Sequence, residues 1–274
     1  MIALQTTWDP SSAGIDLFGK FTIHYYSLMW MLAFILGWYI MKRIYMKENL
    51  SEEKLDSLFV YTILGTMIGA RLGHVIFYQF ELFEQDFFSV FLPFRFNPTF
   101  EFTGFRGLAS HGAAIGIITA MYLYNTKVLH KSVLWILDRI VVPVAIGGAF
   151  IRIGNFFNSE IVGTPTDSVF GVIFKQLGED FARHPAQLYE AFGYIAIFII
   201  MYFIYWKTNK AAISGYMLGL FFVLLWSLRF VIEFFKVAQV EGREDWILGM
   251  NTGQVLSIPF IILGIYLMYR KKIA

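Results

Sequence analysis

Apolar residues in this chain come in long runs separated by short polar stretches. Seven runs stand out, at residues 24–45, 56–80, 108–125, 133–154, 188–206, 214–235 and 254–269. A helix crosses a bilayer with about 20 mostly apolar residues, so each run predicts one transmembrane helix. The last is short and is expected to extend toward its N-terminus. The pattern predicts an all-α polytopic membrane protein of seven transmembrane helices. It forms a single domain over 1–274, with no linker, strong internal repeat or low-complexity tract.

Loop charge orients the helices, because cytoplasmic loops carry the excess of Lys and Arg. One alternate set of segments holds Lys42, Arg43, Lys47, Lys54, Lys127, Lys131, Lys207, Lys210, Arg270, Lys271 and Lys272 in short loops. The other holds fewer cations, Lys20, Arg95, Arg106, Lys175, Arg183, Lys236 and Arg243, in longer segments. The N-terminus is therefore expected outside and the C-terminus in the cytoplasm. The long outer segments 1–23, 81–107, 155–187 and 236–253 carry turn residues and aromatics. They are expected to lie at the outer interface as periplasmic loops and short interfacial elements. The first residues lack the basic and apolar regions of a signal peptide. Gly65, Gly69 and Gly73, with Gly112 and Gly116, recur every four residues, a spacing that lets helix backbones approach closely.

Composition agrees with a membrane setting. Of 274 residues, 57% are hydrophobic and 15% charged, against roughly 25% charged in soluble domains, and mean hydropathy is +0.59. A net charge of +2 gives no reason to expect a nucleic-acid partner. The absence of cysteine excludes disulfides, thiolate metal sites and a cysteine nucleophile. Any thiol chemistry must use a substrate thiol. No HExxH spacing occurs, and neither metal nor cofactor is expected.

Charges inside the spans require partners or a function, since each costs about 2.5 kcal/mol or more. Arg71 lies in GARLGH, with His74 one turn on. Asp138 and Arg139 read as anchors at the inner interface. Arg229 and Glu233 sit one turn apart, either as a structural ion pair or as a phosphate-binding arginine held by its carboxylate. Tyr26 falls at an interfacial position. His111 begins the third span, as a hydrogen-bonded helix-end residue or a proton acceptor. His184 precedes Pro185, which suits a helix's first turn, and its role reads as structural. The stretch FIRIGNFFNSEIVG gathers Arg152, Asn155, Asn158 and Glu160 at the outer end of the fourth span. An arginine fork with amide donors suits a phosphate diester. Gly154 and Gly163 allow close backbone approach.

These motifs resemble those of the prolipoprotein diacylglyceryl transferases. The family pattern G-R-x-G-N-F-x-N-x-E-x-x-G is matched at Arg152, Gly154, Asn155, Phe156, Asn158, Glu160 and Gly163. Ile151 stands in place of its first glycine, and Ser159 where glycine is frequent. IHYYSLMW aligns Tyr26 with the family's functional tyrosine. RGLASHGAAIG aligns His111 with its essential histidine, with departures at Ala109, Ala113 and Ala114. RHPAQLYE and LRFVIEFF are further matches. The resemblance implies seven spans in the bacterial inner membrane. It also implies transfer of the diacylglyceryl group of phosphatidylglycerol to the lipobox cysteine of preprolipoproteins. The products are a thioether and glycerol-1-phosphate.

Arg152 and Arg229 are the expected phosphate holders. Asn155, Glu160, Gly163, Glu233 and Arg71 complete the expected phospholipid site, and Tyr26 joins the catalytic set. His111 is the first choice for deprotonating the thiol, with Glu160 and Glu233 as alternatives. A lipid transporter or flippase with an arginine headgroup site is the competing class. A retinal receptor lacks its lysine in 254–269, and a serine protease its G-x-S-x-G elbow.

Overall fold

The computed structural model describes residues 6–10, 14–17, 21–92, 94–102, 107–237 and 247–270. Lys20, Arg106, Arg243, Lys271 and Lys272 of the loop-charge argument lie outside them. The helices, in chain order, are α1 (Tyr25–Lys47), α2 (Glu52–Tyr78), α3 (Leu82–Gln85), α4 (Ser110–Tyr124), α5 (Val133–Phe157), α6 (Ala186–Lys207), α7 (Tyr216–Ile232) and α8 (Thr252–Tyr269). Among the described residues, six are long and apolar enough to cross a membrane: α1, α2, α5, α6, α7 with its following turn, and α8. The third expected span appears as α4, 15 residues long, continued by a wider π-type turn over Asn125–Leu129.

Most boundaries fall within a turn of those expected. α2 starts earlier, with Glu52 and Glu53 in its first turn, where carboxylates oppose the helix dipole. α5 runs through Pro143 and on to Phe157. Pro185 caps α6 rather than occupying its first turn. α8 does extend N-terminally, opened by a capping box in which the Asn251 side chain accepts from the Gln254 N–H.

The fold is mostly helical rather than purely so. Six short strands form three two-stranded sheets: β1 (Thr6–Trp8) parallel with β6 (Val172–Phe174), β2 (Gly14–Leu17) with β3 (Phe21–His24), and β4 (Phe94–Arg95) with β5 (Glu101–Phe102). At two to four residues each, they are too short to show a readable period.

The chain divides into two compact units, residues 42–136 and residues 1–41 with 137–274. In the first, α2 and α4 meet along their glycines. A Cβ on Gly69 would lie 2.5 Å from the Gly112 carbonyl oxygen, and one on Gly116 would lie 2.1 Å from that of Gly65. The expected glycine faces therefore pack backbone on backbone. Beyond α2, the Asp86 carboxylate accepts from the Ser89 hydroxyl at 2.5 Å and from the N–H groups of Phe96 and Asn97 at 2.7 and 3.1 Å. These bonds, led by that from Ser89, hold its pKa below the usual carboxylate range.

In the second unit, α7 and α8 cross where Gly219 and Gly264 face each other. A Cβ on either would stand 2.5 or 2.6 Å from the other's carbonyl oxygen. The Trp226 and Phe260 rings stack at 4.3 Å nearby. Asp138 of α5, fully buried, reaches across to the start of α7 and accepts from the N–H groups of Gly215 (2.6 Å) and Leu218 (2.9 Å). The Asp138 carboxylate therefore caps a neighbouring helix.

Candidate functional site

Because α5 continues to Phe157, Arg152 and Asn155 stand one turn apart near its end, and Arg152 Nη1 donates to Asn155 Oδ1 at 3.3 Å. The chain then reverses through Ser159 (φ 53°) and Ile161 (φ 55°), both in the left-handed region. Glycine adopts that conformation without cost, whereas a serine there carries backbone strain. Ile151 lies inside α5 with helical backbone, where glycine's freedom is not needed. The reversal folds Glu160 back, and its N–H donates to the Asn155 carbonyl at 2.9 Å. The Glu160 carboxylate accepts from the side-chain amides of Asn155 (3.1 Å) and Asn158 (3.0 Å), and Gln187 Nε2 donates to its carbonyl at 2.5 Å.

The carboxylate directly on Arg152 is not Glu160 but Glu190, whose Oε2 lies 2.7 Å from Arg152 Nε. Neither Glu190 oxygen has an aligned hydrogen-bond donor, so the contact is an ion pair. Oε1 of the same carboxylate lies 3.5 Å from Lys236 Nζ. Lys236 in turn donates to Glu233 Oε1 at 3.0 Å, and Glu233 Oε1 lies 3.6 Å from Arg229 Nε. The result is one alternating chain of charge: Arg152, Glu190, Lys236, Glu233, Arg229. The Glu190 side chain is 0% exposed and that of Lys236 2%. Lone charges at such depth are very costly, and the alternation supplies each with neighbours of opposite sign.

Arg229 is the least committed member. Its guanidinium lies over the Trp226 ring at 5.4 Å, its Nε faces Glu233, and its terminal nitrogens make no hydrogen bond among the described residues. The Tyr194 hydroxyl sits within the field of Arg152, Glu190 and Arg229. Gly154 lets the Tyr26 ring pack on α5, since a Cβ there would be 2.8 Å from that ring. Gly163 is clasped between two strand-like segments. The Gly163 N–H donates to the His184 carbonyl at 2.9 Å, the Gly163 carbonyl accepts from Arg183 Nη1 at 3.2 Å, and the residue bridges Lys236. Beside it, Arg183 holds Glu179 through bonds of 2.5 and 2.6 Å, which keeps the Glu179 carboxyl below its ordinary pKa. His184 binds Tyr189 through Nδ1 at 3.1 Å, in keeping with a structural role.

The other unit carries Arg71 and His111. Arg71 donates from Nη2 to the Ser89 carbonyl (2.6 Å) and from Nε to that of Val90 (3.1 Å), tying the segment after α2 to that helix. His111 is exposed at the start of α4. With His74, Tyr78, Leu108 and Ala109 it lines an open cleft of about 390 Å³. The Tyr78 ring lies 5.4 Å from that of His74 and 6.2 Å from that of His111.

Sequence reasoning paired Arg229 with Glu233 but missed Glu190, Lys236 and Tyr194. A signal for Glu190 was available. It closes the RHPAQLYE motif and lies one turn after Gln187, which puts two polar side chains on one face of an apolar helix, although the spacing does not name their partner. Lys236 likewise stands one turn after Glu233.

A profile of the prolipoprotein diacylglyceryl transferase family matches residues 13–270. A Bacteroides fragilis protein named phosphatidylglycerol–prolipoprotein diacylglyceryl transferase is 38% identical over 277 residues, covering 99% of this chain and 98% of its own. Proteins of the same name from Chloroherpeton thalassium and Porphyromonas gingivalis are 39% and 41% identical. They cover 96% of this chain each, and 93% and 94% of their own lengths.

Proposed function

The chain belongs to the prolipoprotein diacylglyceryl transferase family, and on that footing we propose that the Arg152–Arg229 charge chain is where it holds the phosphate of its lipid substrate. The protein is a membrane enzyme that transfers the diacylglyceryl group of phosphatidylglycerol to prolipoproteins. The acceptor is the lipobox cysteine thiol. Its sulfur attacks the glycerol carbon bonded to phosphate, an S–C bond forms, and the C–O electron pair leaves with glycerol-1-phosphate.

Charge accumulates on phosphate as the C–O bond breaks, and fixed donors in a dry site stabilise it. The observation that carries this reading is Arg229. Its carboxylate partner and aromatic platform fix one edge and one face, while its terminal nitrogens stay uncommitted among the described residues. Arg152 supplies the second cation, and Asn155 and Glu160 orient its fork. Tyr26 and Gly163 shape the surrounding wall. Arg71, already bound to two carbonyls, acts on phospholipid through the segment it anchors.

His111 takes the thiol proton. Glu160 accepts an amide on each oxygen and Glu233 holds a lysine. Both carboxylates are thus already engaged by neighbouring donors. Ser110–Leu129, α4 with its π-type turn, is about 30 Å long at 1.5 Å per residue, enough for the seventh span. With the N-terminus outside, the arginine site then faces the periplasm across the bacterial inner membrane.

The test is incubation of the purified enzyme with phosphatidylglycerol and a lipobox peptide, with thioether product read by mass. Arg229→Ala and Arg152→Ala are expected to lose product formation while remaining folded. A folded, fully active Arg229→Ala protein would remove the phosphate assignment.

A further inference from the structure

The charge chain contains three cations, Arg152, Lys236 and Arg229, but two carboxylates, Glu190 and Glu233. The family reaction asks only for cations near a phosphate. It does not explain why two carboxylates, one of them completely buried, are interleaved with them. Glu190 is the joint of the arrangement. One oxygen faces Arg152 on α5 and the other faces Lys236 beyond α7. Glu233 also meets two cations, Arg229 and Lys236, but both are within four residues of it in sequence, whereas those of Glu190 come from distant segments. These five side chains carry one excess positive charge, with Glu190 at 0% exposure and Lys236 at 2%, where unscreened charge counts most; Glu160, which is exposed and reaches Arg152 through Asn155, stands outside the chain.

Resting on the phosphate assignment above, we infer that Glu190 and Lys236 are positioning and specificity-determining residues. They trim the two-arginine site to a single net positive charge, matched to a phosphodiester monoanion and mismatched to a phosphomonoester dianion. Phosphatidylglycerol is the former. The leaving glycerol phosphate, once its proton is gone, is the latter, since the second phosphate pKa is about 6. A site of net charge +1 takes up the diester in balance and leaves the product overcharged. Glu190 also fixes the Nε edge of Arg152, which turns the opposite edge of the fork away from it.

Two single variants and their combination test this. Glu190→Gln raises the net charge by one, and Lys236→Met lowers it by one. The double variant restores the starting balance while removing both side-chain charges. Each is assayed for thioether formation from phosphatidylglycerol, with kcat and KM separated, and for inhibition by added glycerol-1-phosphate at pH 7.5. Glu190→Gln is expected to lower kcat roughly a hundred- to a few thousandfold, the loss typical of stranding buried charges, and to bind glycerol-1-phosphate about tenfold more tightly. Lys236→Met is expected to raise KM and weaken that inhibition. The double variant is expected to return the inhibition constant toward that of the unmodified enzyme and to recover part of kcat. A merely structural role predicts instead that the double variant is as impaired as the worse single one, with no opposed shifts in inhibition. That result overturns the inference, as does an unchanged inhibition constant in folded Glu190→Gln. If the unmodified enzyme forms no thioether, the proposed function itself fails. If it does and only the charge variants behave alike, the charge-matching inference fails alone.

Discussion

Gly163→Ala places one methyl group where the backbone leaves no room. Its ideal Cβ would stand 2.5 Å from the carbonyl oxygens of both His184 and Phe235, and 2.6 Å from the His184 Cβ. Carbon–oxygen contacts settle at about 3.3 Å or beyond, so each carbonyl must recede by roughly 0.8 Å. Neither can rotate aside, because the Gly163 N–H binds one and the Thr164 N–H binds the other, both at 2.9 Å. Gly163 does not sit in the left-handed region, so the penalty is steric rather than conformational. Overpacking of this kind costs about 1–3 kcal/mol. The functional loss should be larger than stability alone implies. Phe235 directly precedes Lys236, whose amine already lies 3.5 Å from Glu190, and a misplacement near 1 Å costs on the order of a hundredfold in rate. The assay pairs a denaturation midpoint in detergent with kcat/KM for thioether formation. Gly178→Ala is the control. That glycine has φ 71° but nothing within 4 Å of its Cβ, so it should lose about 1–2 kcal/mol to backbone strain and keep full activity. Equal activity in Gly163→Ala and the unmodified enzyme would refute the reasoning.

Gly116→Ala drives a Cβ to 2.1 Å from the Gly65 oxygen and should destabilise α2–α4 packing by at least about 1–3 kcal/mol. Gly147→Ala meets only Ala33 at 3.8 Å and should be neutral or gain up to about 1 kcal/mol; detergent unfolding compares the two. At Ser159, glycine would relieve about 1–2 kcal/mol of left-handed strain. It would also lose the Ser159–Gln176 bond of 3.1 Å, worth about 0.5–1.5 kcal/mol, so Ser159→Gly should be near neutral and Ser159→Ala destabilising. Glu179 is depressed by Arg183, so its contribution is complete above about pH 4.5, its ordinary value, and fades as pH falls through the lower folded value. Protection factors of the Thr166 and Arg183 amides, corrected for intrinsic exchange, should fall over that acid range, and Glu179→Gln should remove that fall.

The spans were legible because a membrane helix needs only a long apolar run, and α1, α2, α5, α6 and α8 lie close to where hydropathy places them. The glycine faces of α2 and α4 were legible because a four-residue repeat maps onto one side of a helix. Arg229 with Glu233 was legible for the same reason. Glu190 was not, because its partners Arg152 and Lys236 lie some forty residues away on either side. Local spacing carries no information about such pairing. Neither did it show that Glu160 reaches Arg152 only through Asn155. The short sheets escaped notice because strands of two to four residues are set by the segments they pair with, not by their own pattern.

Asp138 gives α7 a history as well as a cap. A helix leaves its first N–H groups without internal partners, and in a bilayer such groups have no water to turn to. α7 satisfies two of them with a carboxylate from α5. Chain order means that α5 is made long before α7. The later helix therefore arrives to a receptor already waiting, and its register is set on docking. Since Arg152 and Arg229 lie at the far ends of the same two helices, the join that seats α7 also fixes how far apart the two arginines come to rest. A defect at Asp138 would then surface as misassembly during synthesis, with the phosphate site lost at a distance from the damaged residue.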